Sequence, residues 1–167
     1  GTTAIQANDL VGRKTARDGG AVAHALIDQM KTTAADLSGS ADADLAAIGR
    51  RLAVAAGAYA DVVDYVVSRM KGDIRGVFAG SVPYLKLAGI VHGGWQLARA
   101  AGASARLLRD GDEDRAFLAA KVTTARFFAD HVLGTAAGLR DSIVDGAAGV
   151  LGLPAEHRDQ RQQQGSQ

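Results

Sequence analysis

Leu45, Ile48, Leu52, Ala55, Tyr59, Val62 and Val66 recur at spacings of three and four residues. That spacing places all seven on one stripe of an α-helix, the seam through which antiparallel helices pack. Little in the chain opposes helix formation, because the only prolines are Pro83 and Pro154. Aromatic residues make up 5% of the sequence against 47% hydrophobic residues in all, so the core must be built mostly from Ala, Val, Leu and Ile. Alanine is the strongest helix former among these, since it loses no side-chain entropy. Arg50, Arg51, Asp61 and Asp64 interrupt the apolar pattern and need water or partners.

Other segments read the same way. Residues 5–17 predict a short helix that stops near Asp18-Gly19-Gly20. Ala21 to Leu37 predicts a second helix with Val22, Leu26, Ile27 and Met30 on its apolar face. Ser38 to Asp42 reads as a loop, with Asp42 and Asp44 suited to the positive end of the helix that follows. A long helical stretch after Gly72 reaches about Arg109, and Pro83 either kinks it or marks its true start. Within it Tyr84, Leu87, Val91, Trp95 and Ala98 share a face, while Gly89, Gly93 and Gly94 leave room for a neighbouring helix. A fifth helix starts near Asp112 and carries Leu118, Val122, Ala125, Phe128 and Val132. A sixth runs from about Leu139 through Ile143, Ala147 and Val150 to Leu153-Pro154. Residues 155–167 read as a polar, Gln-rich, disordered tail. No segment alternates with period two. The expected class is all-α, an antiparallel helical bundle of the four-helix type preceded by a short extra helix.

Charge and motifs exclude several functions. Nineteen basic and 18 acidic residues are interspersed, which leaves no electrostatic footprint for nucleic acid. The longest uncharged apolar run, between Lys86 and Arg99, is far short of the roughly 20 residues a membrane span needs. With no signal pattern, the cytoplasm is the expected compartment. There is no cysteine, and His24, His92, His131 and His157 are scattered, so no metal site is expected. Asp110 to Asp114 resembles the start of a calcium loop, but Arg115 and Lys121 stand where that loop needs glycine and glutamate. No phosphate-cradling glycine loop and no nucleophile elbow is present. Arg13, Lys14 and Arg17 lie within a turn of one another and can be read as a phosphate site or as a solvated face with an Asp9–Arg13 pair. His92, Trp95 and Arg99 can likewise be read as core or as ligand-facing.

Gly1-Thr2-Thr3-Ala4-Ile5-Gln6, followed by Asp9-Leu10-Val11-Gly12-Arg13-Lys14, resembles a stretch of the acyl-CoA dehydrogenases. There a Tyr-Glu-Gly-Thr-x-x-Ile-Gln signature leads into the last helix of the catalytic domain. Pro83 to Gly89, Gly93 to Ala100, Lys121 to Leu133 and Gly146-Ala147 resemble the extra C-terminal domain of one bacterial branch, which includes the methylthiopropanoyl-CoA dehydrogenases.

This resemblance implies residues 1–18 as the end of a catalytic FAD domain, 19–153 as the C-terminal bundle and 154–167 as a tail. It implies that Gly1 and Arg13 touch the acyl-CoA substrate, Arg13 at the CoA phosphates, and that Thr2, Thr3, Ala4 and Gln6 touch FAD. The family's catalytic glutamate lies directly before the glycine matching Gly1, outside this sequence, so no catalytic residue is assigned and the isolated chain is expected to be inactive. The implied partners are the rest of the catalytic domain, an electron-transfer partner and a second copy in a homodimer. The competing class is a non-enzymatic helical interaction or oligomerisation module, self-associating through Gly89 and Gly93. A carboxylate-bridged metal bundle is a third.

Overall fold

Aspartates start three of the helices. Asp18 accepts hydrogen bonds from the backbone N–H groups of Gly20 and Val22, Asp42 from Asp44 and Leu45, and Asp73 from Gly76, at 2.9 to 3.1 Å. Each satisfies donors that a helix's first turn leaves unpaired. The computed structural model describes residues 2–111 and 114–152. The elements are α1 (Thr2–Asp9), continued by a π-helical stretch (Leu10–Ala16), α2 (Ala21–Ser38), α3 (Ala43–Arg69), α4 (Ile74–Ala79) and α5 (Ser81–Asp110). Then come α6 (Arg115–His131), a 3-10 turn (Leu133–Thr135), α7 (Ala136–Val144) and α8 (Ala147–Leu151). Among the described residues there is no strand.

The long helices α2, α3, α5 and α6 form an antiparallel bundle, with α3 packed against α2, α5, α6 and α7, and α1 lying on α5. None of the seven seam residues of α3 is more than 4% exposed. Three of the four charges that interrupt the α3 pattern find partners on other helices: Arg51 meets Asp130 at 3.4 Å, Asp61 meets Arg140 at 3.4 Å and Asp64 meets His24 at 3.0 Å. Tyr84, Leu87, Val91, Trp95 and Ala98 of α5 are all buried. Pro83 lies in the first turn of an unbroken α5, where a missing N–H is harmless, so it marks a start and not a kink.

Several expectations fail for physical reasons. The first helix begins by Thr2, and its second half is π-helical. Val22 is exposed, while Ile27 and Met30 are buried as expected and Ala23, Ala34 and Leu37 join them. The stretch after Gly72 is two helices, because Asp73 caps a short α4 before Gly80 ends it. Of Gly89, Gly93 and Gly94, only Gly94 permits a close approach, since a Cβ there would stand 2.6 Å from Leu133 Cδ2. Gly93 merely touches Phe128 of α6, and Gly89 faces open space. The sixth helix is broken at Gly146, where a Cβ would press on the Ser142 carbonyl oxygen. The expected start at Asp112, the core of the acidic run, and the tail fall outside the described residues.

Candidate functional site

The buried face of α1 and its π continuation consists of Ala7, Val11 and Thr15, each four residues from the last. Before them Thr2, Thr3, Ala4, Ile5 and Gln6 are all exposed in the first turns, and Gly1 lies outside the described residues. Between this helix and the start of α5 runs a groove of about 510 Å³, lined by Ile5, Gln6, Asp9, Leu10, Lys14 and Leu85. Its sides are apolar, and Lys14 and Asp9 add opposite charges.

Arg13 is held beside the groove by Asp9. Its Nε donates to Asp9 Oδ1 at 2.6 Å and its Nη2 to Oδ2 at 2.9 Å, a bidentate fork. That hydrogen bond lowers the Asp9 carboxyl below its ordinary range and raises the guanidinium. The ordinary i,i+4 pair is therefore present. It uses two of the five guanidinium N–H groups and leaves three for a ligand. Of the expected site residues, Gln6 and Arg13's partner Asp9 meet at one groove. Thr2, Thr3 and Ala4 stand on the exposed start of the same helix, outside the groove lining. Arg17 is exposed and lines no part of it.

Beneath the groove is a buried polar contact that sequence reasoning missed. The Thr15 and Tyr84 hydroxyls are 2.9 Å apart, and neither residue is more than 1% exposed. Tyr59, its ring centroid 6.0 Å from that of Tyr84, couples to the same phenol. Desolvation raises both tyrosine hydroxyls above their ordinary range, so they stay protonated as hydrogen-bonding groups. The four-residue spacing ending on a polar Thr was the available signal.

Trp95 belongs to the core. It is 7% exposed, and its Nε1 donates to Thr33 Oγ1 at 2.9 Å, which gives the indole N–H a partner. Arg99 lies 5.3 Å above the indole ring and donates to Gln96 Oε1 at the edge of a separate groove between α2 and α5. His92 sits edge-on to Tyr59 and Trp95, and burial lowers its imidazole pKa below the ordinary 6.5. Among the described residues no three His, Asp or Glu side chains converge as a metal site, and no helix is long and apolar enough to cross a membrane.

Residues 26–154 match a family model described as acetyl-CoA dehydrogenase C-terminal like. The chain is 42% identical over 153 residues to the 3-methylmercaptopropionyl-CoA dehydrogenase of Ruegeria pomeroyi, covering 90% of this chain and 25% of that protein. It is 32% identical over 151 residues to the broad-specificity linear acyl-CoA dehydrogenase FadE5 of Mycobacterium tuberculosis, covering 86% of this chain and 24% of that protein. The chain thus spans about a quarter of the length of the curated relatives it matches. An all-α bundle with this match identifies the chain as a member of the acyl-CoA dehydrogenase family, corresponding to its C-terminal helical domain.

Proposed function

We propose that this chain is the C-terminal helical portion of a cytoplasmic, FAD-dependent acyl-CoA dehydrogenase that introduces an α,β double bond into an acyl-CoA thioester. Residues 1–18 close the catalytic domain, and residues 19–153 form the bundle that backs its CoA cleft. The observation that carries this reading is the placement of α1. Its apolar side is buried on α5, while Thr2, Thr3 and Gln6 remain uncovered beside a groove that holds Lys14 and, through Asp9, Arg13.

In this reading the α-proton goes to a glutamate directly preceding Gly1 in the parent protein. Bound FAD supplies the acceptor for the β-hydrogen, leaving as hydride. Thr2, Thr3 and Gln6 offer hydroxyl and amide groups on an open face, which suits one edge of a flavin and does not enclose it. Their role is to hydrogen-bond and orient, with Ala4 providing close, uncharged contact. Gly1 matches the family position that lines the thioester. Arg13 offers its three remaining N–H groups to the CoA phosphates, and Asp9 fixes the plane in which they point. Exposed Phe117 and Phe127 on α6 provide apolar area that the subunit contact of a homodimer would cover. The isolated chain, lacking base and flavin pocket, is inactive.

The test is the full-length parent. It should purify yellow and reduce an electron-accepting dye with an acyl-CoA, and Arg13→Ala should raise KM about tenfold or more with kcat little changed. A well-folded full-length preparation without flavin would overturn the reading.

A further inference from the structure

Ala7, Val11 and Thr15 form a buried line at intervals of four residues, and the π stretch Leu10–Ala16 sets the angle of its last member. At about 100° per residue, each step of four overshoots a full turn by roughly 40°, so Thr15 would drift about 80° from Ala7. A π-helix takes roughly 4.4 residues per turn and falls short of a full turn by a similar amount. The π stretch Leu10–Ala16 therefore brings Thr15 back beneath Ala7 and Val11. The same rotation sets where Arg13 and Lys14, both exposed, leave the helix, Lys14 into the groove. Such a stretch needs a reason to exist, because good helix formers prefer the α register, and π segments gather at functional sites. The hydroxyl contact between Thr15 and Tyr84 is that reason: in an unbroken α-helix Thr15 would turn away and leave the buried phenol without it. Tyr84 is also the neighbour of Leu85, which lines the far wall of the groove.

We infer that Thr15 and Tyr84 are positioning residues for phosphate recognition: their hydrogen bond locks the π register and so aims Arg13 and Lys14 at the phosphates of the acyl-CoA. This rests on the CoA reading of Arg13 given above. Neither residue touches substrate, and both act through the exposed cations of the same π stretch.

The full-length enzyme carrying Thr15→Val, Thr15→Ser, Tyr84→Phe or Arg13→Ala tests this against two substrates, an acyl-CoA and the same acyl thioester of pantetheine, which lacks the phosphates carried by the nucleotide half. Thr15→Val and Tyr84→Phe are expected to raise KM for the acyl-CoA about tenfold with kcat unchanged, and to leave kcat/KM for the pantetheine thioester as it was. Thr15→Ser, which keeps the hydroxyl, should restore the original KM. A merely structural role would depress both substrates together, and that result overturns the inference. So does an unchanged acyl-CoA KM in Thr15→Val and Tyr84→Phe while Arg13→Ala raises it, which leaves the CoA reading standing. An unchanged KM in Arg13→Ala removes that reading and the inference with it. If Thr15→Val fails to fold, Tyr84→Phe and Thr15→Ser carry the same comparison.

Discussion

Gly49→Ala should destabilise the bundle, although alanine is the better helix former. Gly49 is buried on α3 where it crosses the end of α2. A Cβ there would press on the Ser38 backbone nitrogen and stand 2.7 Å from both the Ala34 carbonyl oxygen and Ser38 Oγ. Ordinary carbon contacts begin near 3.4 Å, so α2 and α3 must part by roughly 0.7 Å or more at this point. Two of the three obstructing atoms are backbone and cannot swing aside by changing rotamer. Overpacking of this kind costs about 1–3 kcal/mol, and the rigid neighbours place Gly49 at the upper end. Against it stands a helix-propensity gain of about 1 kcal/mol for alanine over glycine. The net is a loss of about 2 kcal/mol, a fall in Tm of roughly 4–8 °C for a domain of this size. Gly57 supplies the control on the same helix, because nothing lies within 4 Å of a Cβ built there. Gly57→Ala should raise stability by about 0.5–1 kcal/mol. Urea and thermal unfolding followed by far-UV circular dichroism would measure both variants. A Gly49→Ala protein as stable as the original, or one that shifts with Gly57→Ala, would show that α2 and α3 do not cross this closely.

Two further outcomes follow from buried groups. Burial keeps the His92 imidazole neutral in the fold below its ordinary 6.5, while the unfolded chain protonates first. Stability should therefore fall as pH drops below about 6.5 toward the lowered folded value, and His92→Gln should flatten that slope in urea midpoints measured from about pH 7 to about pH 5. Thr33→Val takes away the acceptor of the Trp95 N–H and should cost about 1 kcal/mol. Trp95 is the sole tryptophan, so its emission should shift in the native state of that variant, and an unchanged spectrum and midpoint would refute the hydrogen bond.

What the sequence made legible divides along a physical line. The α3 seam could be read directly because large apolar residues recur on one stripe and charges fall elsewhere. The α2 face was misread at Val22 because alanine is neutral to burial in a pattern. Of the expected face Val22, Leu26, Ile27 and Met30, the structure buries Ile27 and Met30, half-buries Leu26 and exposes Val22, with Ala23 and Ala34 completing the buried stripe. The π stretch was hidden for a related reason, since periods of 3.6 and about 4.4 separate poorly over seven residues, and only a buried threonine betrays the difference. The exposed residues at the start of α1 were illegible in another sense. Exposed Thr2, Thr3 and Gln6 on a surface helix obey every rule for a solvated face, and their chemistry has meaning only beside a ligand, so resemblance and not pattern pointed to them. Thr15 and Tyr84 are the opposite case. A polar pair sealed in an apolar core breaks the pattern at a cost that packing alone does not repay, and it does so where the first helix packs on α5. The local conflict between pattern and burial therefore singles out this end of the bundle more sharply than its surface composition does.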